Sequence, residues 1–259
     1  MPAACCLIRD QPHYHHGQFV TGLKALGFEV SDRIAARPTP GDVLLIWNRS
    51  GVRDHYAKLY EAAGAKVIVA ENGWIGQTGT GGKFYALCLG HHNGTGAWRV
   101  GEADRFPLLN VGLKPWRESG NHIVALCSRG IGEAGVAQPR EWPRQIAKRL
   151  AAATDRPVTV RPHPATSGRP LEPDLEGAHA VVTWASGAAV KAIAAGIPAF
   201  YELKGWIGGT AARHGLADID DPFLGDRLPM FRRLAWAQWT AAEIASGEAF
   251  RWLLKSRST

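Results

Sequence analysis

Apolar and polar positions change period several times along this chain, and each change marks an element. Residues 3–8 form a short apolar run of the kind a buried strand carries, and a polar loop follows at 9–13. Across 14–26 the apolar residues Phe19, Val20, Leu23 and Leu26 keep helical spacing, and Gly27 supplies the stop. Residues 42–47 predict a second strand, 52–63 a second helix ending at Gly64, and 66–70 a third strand. Strands alternating with single helices predict a parallel, Rossmann-like sheet.

From 71 to 92 the periodicity fades into a stretch rich in Gly, Thr and Asn, a composition of loops and close backbone approach, which predicts an active-site edge. Pro107 and Pro115 then interrupt any helix across 106–117, so a linker is expected there, with a domain boundary near residue 115. Beyond it the alternation resumes: strand 122–127, helix 141–153, strands 157–161 and 179–183, helix 187–195, strand 197–201. Residues 236–254 form an amphipathic helical stretch, interrupted at Gly247, expected to pack back across a lobe. The expected fold is α/β: two Rossmann-like lobes, 1–115 and 116–259, with an interlobe cleft.

Composition narrows the class rather than the fold. A chain of 259 residues with 46% apolar and 20% charged residues lies far from the disordered regime and is long enough for one large domain or two smaller ones. The net charge of +7 suits an anionic partner such as nucleic acid, a phosphate-bearing donor or a membrane surface. Its basic residues are scattered, which a solvated basic surface explains equally. Cys5, Cys6, Cys88 and Cys127 lie in or beside apolar runs without a C-x-x-C pair, as reduced core residues of a cytoplasmic protein would. No basic leader precedes a long apolar stretch and no 18-residue apolar segment occurs, so neither export nor membrane spanning is expected.

Two motifs carry the candidate chemistry. Arg161-Pro162-His163-Pro164 follows a predicted strand, so His163 belongs at a carboxyl end, where open α/β sheets bind ligands, with Arg161 beside it to neutralise charge. A histidine there is otherwise a structural one. Val181 to Gly187 reads as strand, tight turn, then a small-residue helix ended by Gly196-Ile197-Pro198. Ser186, Gly187 and the free N–H groups of the helix start at 187–190 form an anion site favoured by the helix dipole. The plain alternative is that Ser186 only caps the helix.

A strand ending in His-Pro, followed about twenty residues later by a strand ending in Ser before a small-residue helix and Gly-x-Pro, resembles bacterial inverting glycosyltransferases of the two-Rossmann (GT-B) type. The resemblance is to the capsule-polysaccharide and sialyl- or Kdo-transferase group, more loosely to the glycerophosphotransferases of wall synthesis, and covers residues 121–205. It implies that His163 and Ser186 contact the donor's nucleotide and phosphate. That group often carries an acidic-acidic-Gly motif whose acid is the general base. Glu71-Asn72-Gly73 matches its first and third positions but not its second. A carboxylate at a strand end can take the proton from an attacking hydroxyl, a role open to Glu71 and also to Asp10, which follows the first strand.

Further candidates are weaker. Cys127-Ser128-Arg129-Gly130-Ile131-Gly132 follows a strand and lets backbone N–H groups approach a diphosphate, so Ser128, Arg129 and Gly130 are donor-site candidates; the full G-x-G-x-x-G is absent, which argues against NAD. Trp74 could stack on a sugar or a base, though most of the ten tryptophans read as packing. His91 and His92 are candidate acceptor contacts. Neither they nor His13, His15 and His16 have a Cys or carboxylate at ligand spacing, and Asp218-Ile219-Asp220 lies late in a loop, so no metal or other cofactor is expected.

The leading expectation is a metal-independent inverting glycosyltransferase that takes a nucleotide-sugar donor and a polysaccharide acceptor, or DNA carrying a hydroxymethylated base. A non-catalytic nucleotide-sugar or nucleic-acid binding module and a nucleotide-sugar epimerase are the rivals.

Overall fold

The computed structural model describes residues 1–163 and 168–255. In chain order the elements are β1 (Ala3–Cys6), α1 (His16–Lys24), β2 (Glu29–Ser31), β3 (Val43–Trp47), α2 (Val52–Ala62), β4 (Lys66–Asn72) and β5 (Tyr85–Leu89). There follow β6 (His122–Leu126), α3 (Trp142–Ala153), β7 (Val158–Arg161), α4 (Glu172–Leu175), β8 (Ala178–Thr183), α5 (Gly187–Ala194), β9 (Ala199–Tyr201) and β10 (Arg213–His214). The chain closes with α6 (Leu228–Ala235), β11 (Gln238–Trp239), α7 (Ala241–Ala245) and α8 (Glu248–Leu254).

The chain forms two compact units, Met1–Asn110 with Arg233–Thr259, and Val111–Arg232. In the first, six strands run in the order β11-β5-β4-β3-β1-β2. Its parallel part follows from the run Val-Leu-Leu-Ile in β3, buried on both faces as strands covered by helices are. Leu44, Ile46, Val67 and Val69 pack one way onto Ala57 and Tyr60 of α2, while Leu45 and Ile68 pack the other way with Phe19, Leu23 and Phe250. The second unit is wholly parallel, in the order β10-β9-β8-β6-β7. Trp142, Ile146 and Leu150, four residues apart on α3, cover Ile123, Ala125 and Val182.

Three sequence expectations change. Residues 71–92 are not all loop: β4 runs on to Asn72, and Tyr-Ala-Leu-Cys-Leu forms β5, antiparallel to β4 and almost wholly buried. Five apolar residues at the tail of a Gly-Thr stretch were masked by its average composition. β2, an edge strand with exposed side chains, has no apolar run to announce it. Residues 236–254 are not one helical stretch; β11 adds antiparallel to β5, then α7 and α8 cover α1. The expected second lobe, 116–259, runs past the second unit, which ends at Arg232. Gly22 permits the close seating of the C-terminal segment, since a Cβ there would lie 1.9 Å from the Ile244 carbonyl oxygen.

Both sheets have a topological switch point. From β1 the chain goes to β2 on one side and then to β3 on the other; from β6 it goes to β7 and then to β8. Open α/β sheets bind ligands outside the carboxyl ends of strands at such points.

Candidate functional site

In the second unit, Leu126 is in register with Arg161 on one side and Thr183 on the other. Residues 128–130, His163 and Ser186 therefore all leave the sheet at its carboxyl edge. The Thr183 hydroxyl donates to the Leu126 carbonyl at 3.0 Å and accepts from Ser186 N at 2.8 Å, which fixes the turn into α5. Ser186 is the N-cap of that helix: its backbone is extended, at φ −74° and ψ 138°, and its Oγ accepts from Ala188 N at 3.2 Å. Ser186 thus takes up two first-turn N–H groups, Ala188 N through its Oγ and Ala189 N through its carbonyl at 3.1 Å, which leaves the helix dipole and the N–H of the half-buried Gly187 as what the start of α5 offers an anion.

The turn after β6 is pinned from two sides. Ser128 N donates to Gln138 Oε1 at 2.7 Å, and the Trp184 indole donates to the Val136 carbonyl at 2.8 Å. Gly130 has φ +66°, a conformation that only glycine adopts without strain. The Ser128 hydroxyl is buried with no hydrogen-bond partner among the described residues. Burial, and after it the positive charge of Arg129, hold the half-buried His163 below the usual histidine range, so the ring is neutral near pH 7 and donates one N–H.

Arg161 departs from its expected role. It is only 4% exposed, and its guanidinium is engaged with the Asp174 carboxylate and with the Arg169 carbonyl at 2.5 Å. It braces the strand end, while Arg129 is exposed and close enough to His163 for its charge to act on the ring. Pro164 of the His-Pro pair lies outside the described residues.

In the first unit, Glu71 sits near the carboxyl end of β4, paired with Ala86 of β5. Burial pushes its carboxyl up to about 7, against the opposing pull of the Asn93 N–H, the Trp74 indole and the Gly94 N–H. Asn93 N donates to Oε1 at 2.7 Å; the indole stays buried without meeting hydrogen-bond geometry to any acceptor.

The loop that delivers these N–H groups is held by Arg49, a buried residue the sequence reading passed over. Its guanidinium donates to Asp54 at 2.7 Å, to both Glu61 oxygens at 2.6 and 2.9 Å, and to the Gly90 carbonyl at 2.9 Å. Its own N–H donates to His92 Nδ1 at 3.2 Å. A lone Arg two residues past an apolar strand is the available signal.

Two acceptor candidates are corrected by burial. His92 is 2% exposed and helps hold this loop, and Trp74 is 6% exposed with its ring packed on Trp98 at 6.1 Å, so neither offers a face to a ligand. His91 stays half-buried, its ring held low by burial and then by Arg49. Asp10 is exposed, 3.9 Å from His16 Nδ1. Asp218 and Asp220 face Arg213 and Arg156 in exposed ion pairs, and no group of three or more His, Cys, Asp or Glu among the described residues is placed to hold a metal. All four cysteines are buried and free, and no helix among the described residues is long and apolar enough to cross a membrane.

No protein-family model and no curated protein matches the chain. Solved structures do. One is Thermosulfurimonas dismutans KpsC, beta Kdo 2,4 transferase, with a TM-score of 0.53 and 13% identity over 90% of this chain and 89% of that one. Another is the beta Kdo 2,7 transferase of the same KpsC, with a TM-score of 0.53 and 12% identity over 96% of this chain and 99% of that one. What the chain shares with them is the fold, α/β with two largely parallel sheets.

Proposed function

We propose that this chain is a metal-independent, inverting glycosyltransferase that moves a sugar from a nucleotide-sugar donor to a hydroxyl of a polysaccharide. The observation that carries the reading is the gathering, at the switch point of the second sheet, of a capped helix N-terminus, a glycine turn, a neutral His163 and the exposed Arg129. These are the groups that a phosphate leaving group needs, and the fold shared with two proteins named as Kdo transferases supports the same reading.

Glu71 is the proposed base. With its carboxyl near 7 it is part ionised at neutral pH yet basic enough to take a proton, the compromise general-base catalysis favours. Its carboxylate takes the acceptor O–H proton as that oxygen bonds to the anomeric carbon. The carbon–oxygen bond to phosphate breaks on the opposite face, and its electron pair goes to the phosphate, which the start of α5, His163 and Arg129 stabilise. One in-line displacement inverts the anomeric centre.

The test is incubation of the full chain with UDP-, GDP-, CDP- and CMP-sugars and oligosaccharide acceptors in EDTA, with products read by mass spectrometry and anomeric configuration by NMR. The expected result is a new, inverted glycosidic bond whose formation falls about a hundredfold or more in Glu71→Gln. Full transfer by both Glu71→Gln and His163→Ala would overturn the assignment, and transfer only to hydroxymethylated DNA would replace the acceptor.

A further inference from the structure

The first unit has its own pocket at its own switch point, and nothing in the proposed reaction uses it. It lies at the carboxyl ends of β1 and β2 and against the starts of α1 and α2, with a volume of about 730 Å³. Small-molecule sites span about 300–1,000 Å³ and favour this position in open α/β sheets. No residue of β4 lines it, so it is separate from Glu71.

Its lining has two characters. Asp10, His16, Ser31, Asp32 and Arg53 bring hydrogen-bonding groups from the loop after β1, the start of α1, the end of β2 and the start of α2. Val20, Val30, Val52 and Tyr56 bring apolar surface, and Val52, the first residue of α2, is 61% exposed. Asp32 makes no hydrogen bond or ion pair among the described residues, and Asp10 has only the 3.9 Å contact with His16. Both carboxylates therefore keep free lone pairs.

Charge selects among ligands. Two carboxylates face one arginine and the His16 imidazole, so the lining has no excess of positive charge to hold a phosphate, a nucleotide or an acidic sugar. Carboxylates accept from pairs of neighbouring hydroxyls, while a tyrosine ring and valine methyls pack against C–H faces; a ligand with both edges and faces of that kind is a neutral sugar. We propose that this pocket binds a neutral, polyhydroxylated sugar residue of the acceptor glycan, away from the hydroxyl that reacts. Only the word acceptor rests on the glycosyltransferase reading; the sugar site stands on its own lining.

The test is saturation-transfer difference NMR on the full chain with maltose, lactose and cellobiose, and with N-acetylneuraminic acid and CMP as anionic comparators. A neutral disaccharide receives saturation, Asp32→Asn and Asp10→Asn each weaken its binding about tenfold, and Val52→Trp, which fills the pocket from an exposed position, abolishes it. Glu71→Gln leaves sugar binding unchanged, and His163→Ala weakens nucleotide binding without touching it. No transfer to any neutral disaccharide, or transfer that survives Val52→Trp and both Asn variants in folded protein, overturns the proposal. Nucleotide binding without sugar binding would sink this site and leave the donor reading in place; sugar binding without nucleotide binding would do the reverse.

Discussion

Where β6 and β8 leave the second sheet, the groups presented are donors: the Gly187 N–H at the start of α5, a glycine turn, His163 and Arg129. Where β1, β2 and β4 leave the first sheet, carboxylates prevail: Asp10, Asp32 and Glu71, with His16 and Arg53 beside the first two. The two sheets share a winding pattern with a switch point each, so winding alone does not decide this polarity. What decides it is how each edge is finished. The parallel second sheet ends its central strand in a capped helix, whose positive dipole end attracts anions. The first sheet instead adds antiparallel β5 beside β4, and the loop after β5 folds back to place Asn93 N against a half-buried carboxylate. In the proposed reaction the first of these edges takes the leaving phosphate and the second the hydroxyl that loses its proton.

The largest break of this contrast is Glu71→Gln, which removes the proposed base and keeps the shape. Transfer should fall about 10²- to 10⁴-fold with donor affinity unchanged, checked by initial rates alongside calorimetric nucleotide binding. His163→Ala acts on the opposite edge and should weaken nucleotide binding about ten- to a hundredfold by calorimetry, with the rise of rate with pH through about 7 kept, because that rise belongs to Glu71.

Ser186 separates capping from anion binding. Ser186→Ala should cost about 0.5–2 kcal/mol of stability in denaturant titration. Ser186→Asp restores the cap yet repels a phosphate, so it should recover stability and lose nucleotide binding.

The smallest effect is on stability against pH. Glu71 titrates near 7 in the fold and near 4.5 unfolded, so between those values the folded chain holds more protons. The stability conferred by the protonated form is complete below about 4.5 and is lost as pH rises through about 7. Glu71→Gln should therefore match the wild type at pH 4.5 and exceed it at pH 8 by on the order of 1 kcal/mol, about 2–4 °C in a thermal melt.

Much of the second edge was legible because local sequence built it. A strand, a Ser and a run of small residues specify a capped helix whatever surrounds them, and α5 begins at Gly187 as that pattern requires. The strand ending in His163 was equally local. Arg161 was misread because its partner, Asp174, lies thirteen residues on in α4, and pairing across a fold leaves no periodic trace. The first edge depends more on distant contacts. Glu71 was found from its place after an apolar run, but its buried state comes from a loop held by Arg49, 22 positions before it, and from β5, hidden in a glycine-rich window. The return of the C-terminal segment to the first unit was hardest to see, since β11 is two residues long and its neighbours look helical.

The central claim is that the second unit's edge holds a nucleotide phosphate. A thermal-shift screen of the full chain against CMP, UDP, CDP, GDP and ADP, each with its common sugar conjugates, tests it most directly, because a ligand bound only by the folded state raises the midpoint. The account predicts a shift selective for one base, reduced or absent in His163→Ala and Ser186→Asp and intact in Glu71→Gln. The absence of a shift with every nucleotide, or a shift that His163→Ala and Ser186→Asp leave untouched, would contradict it.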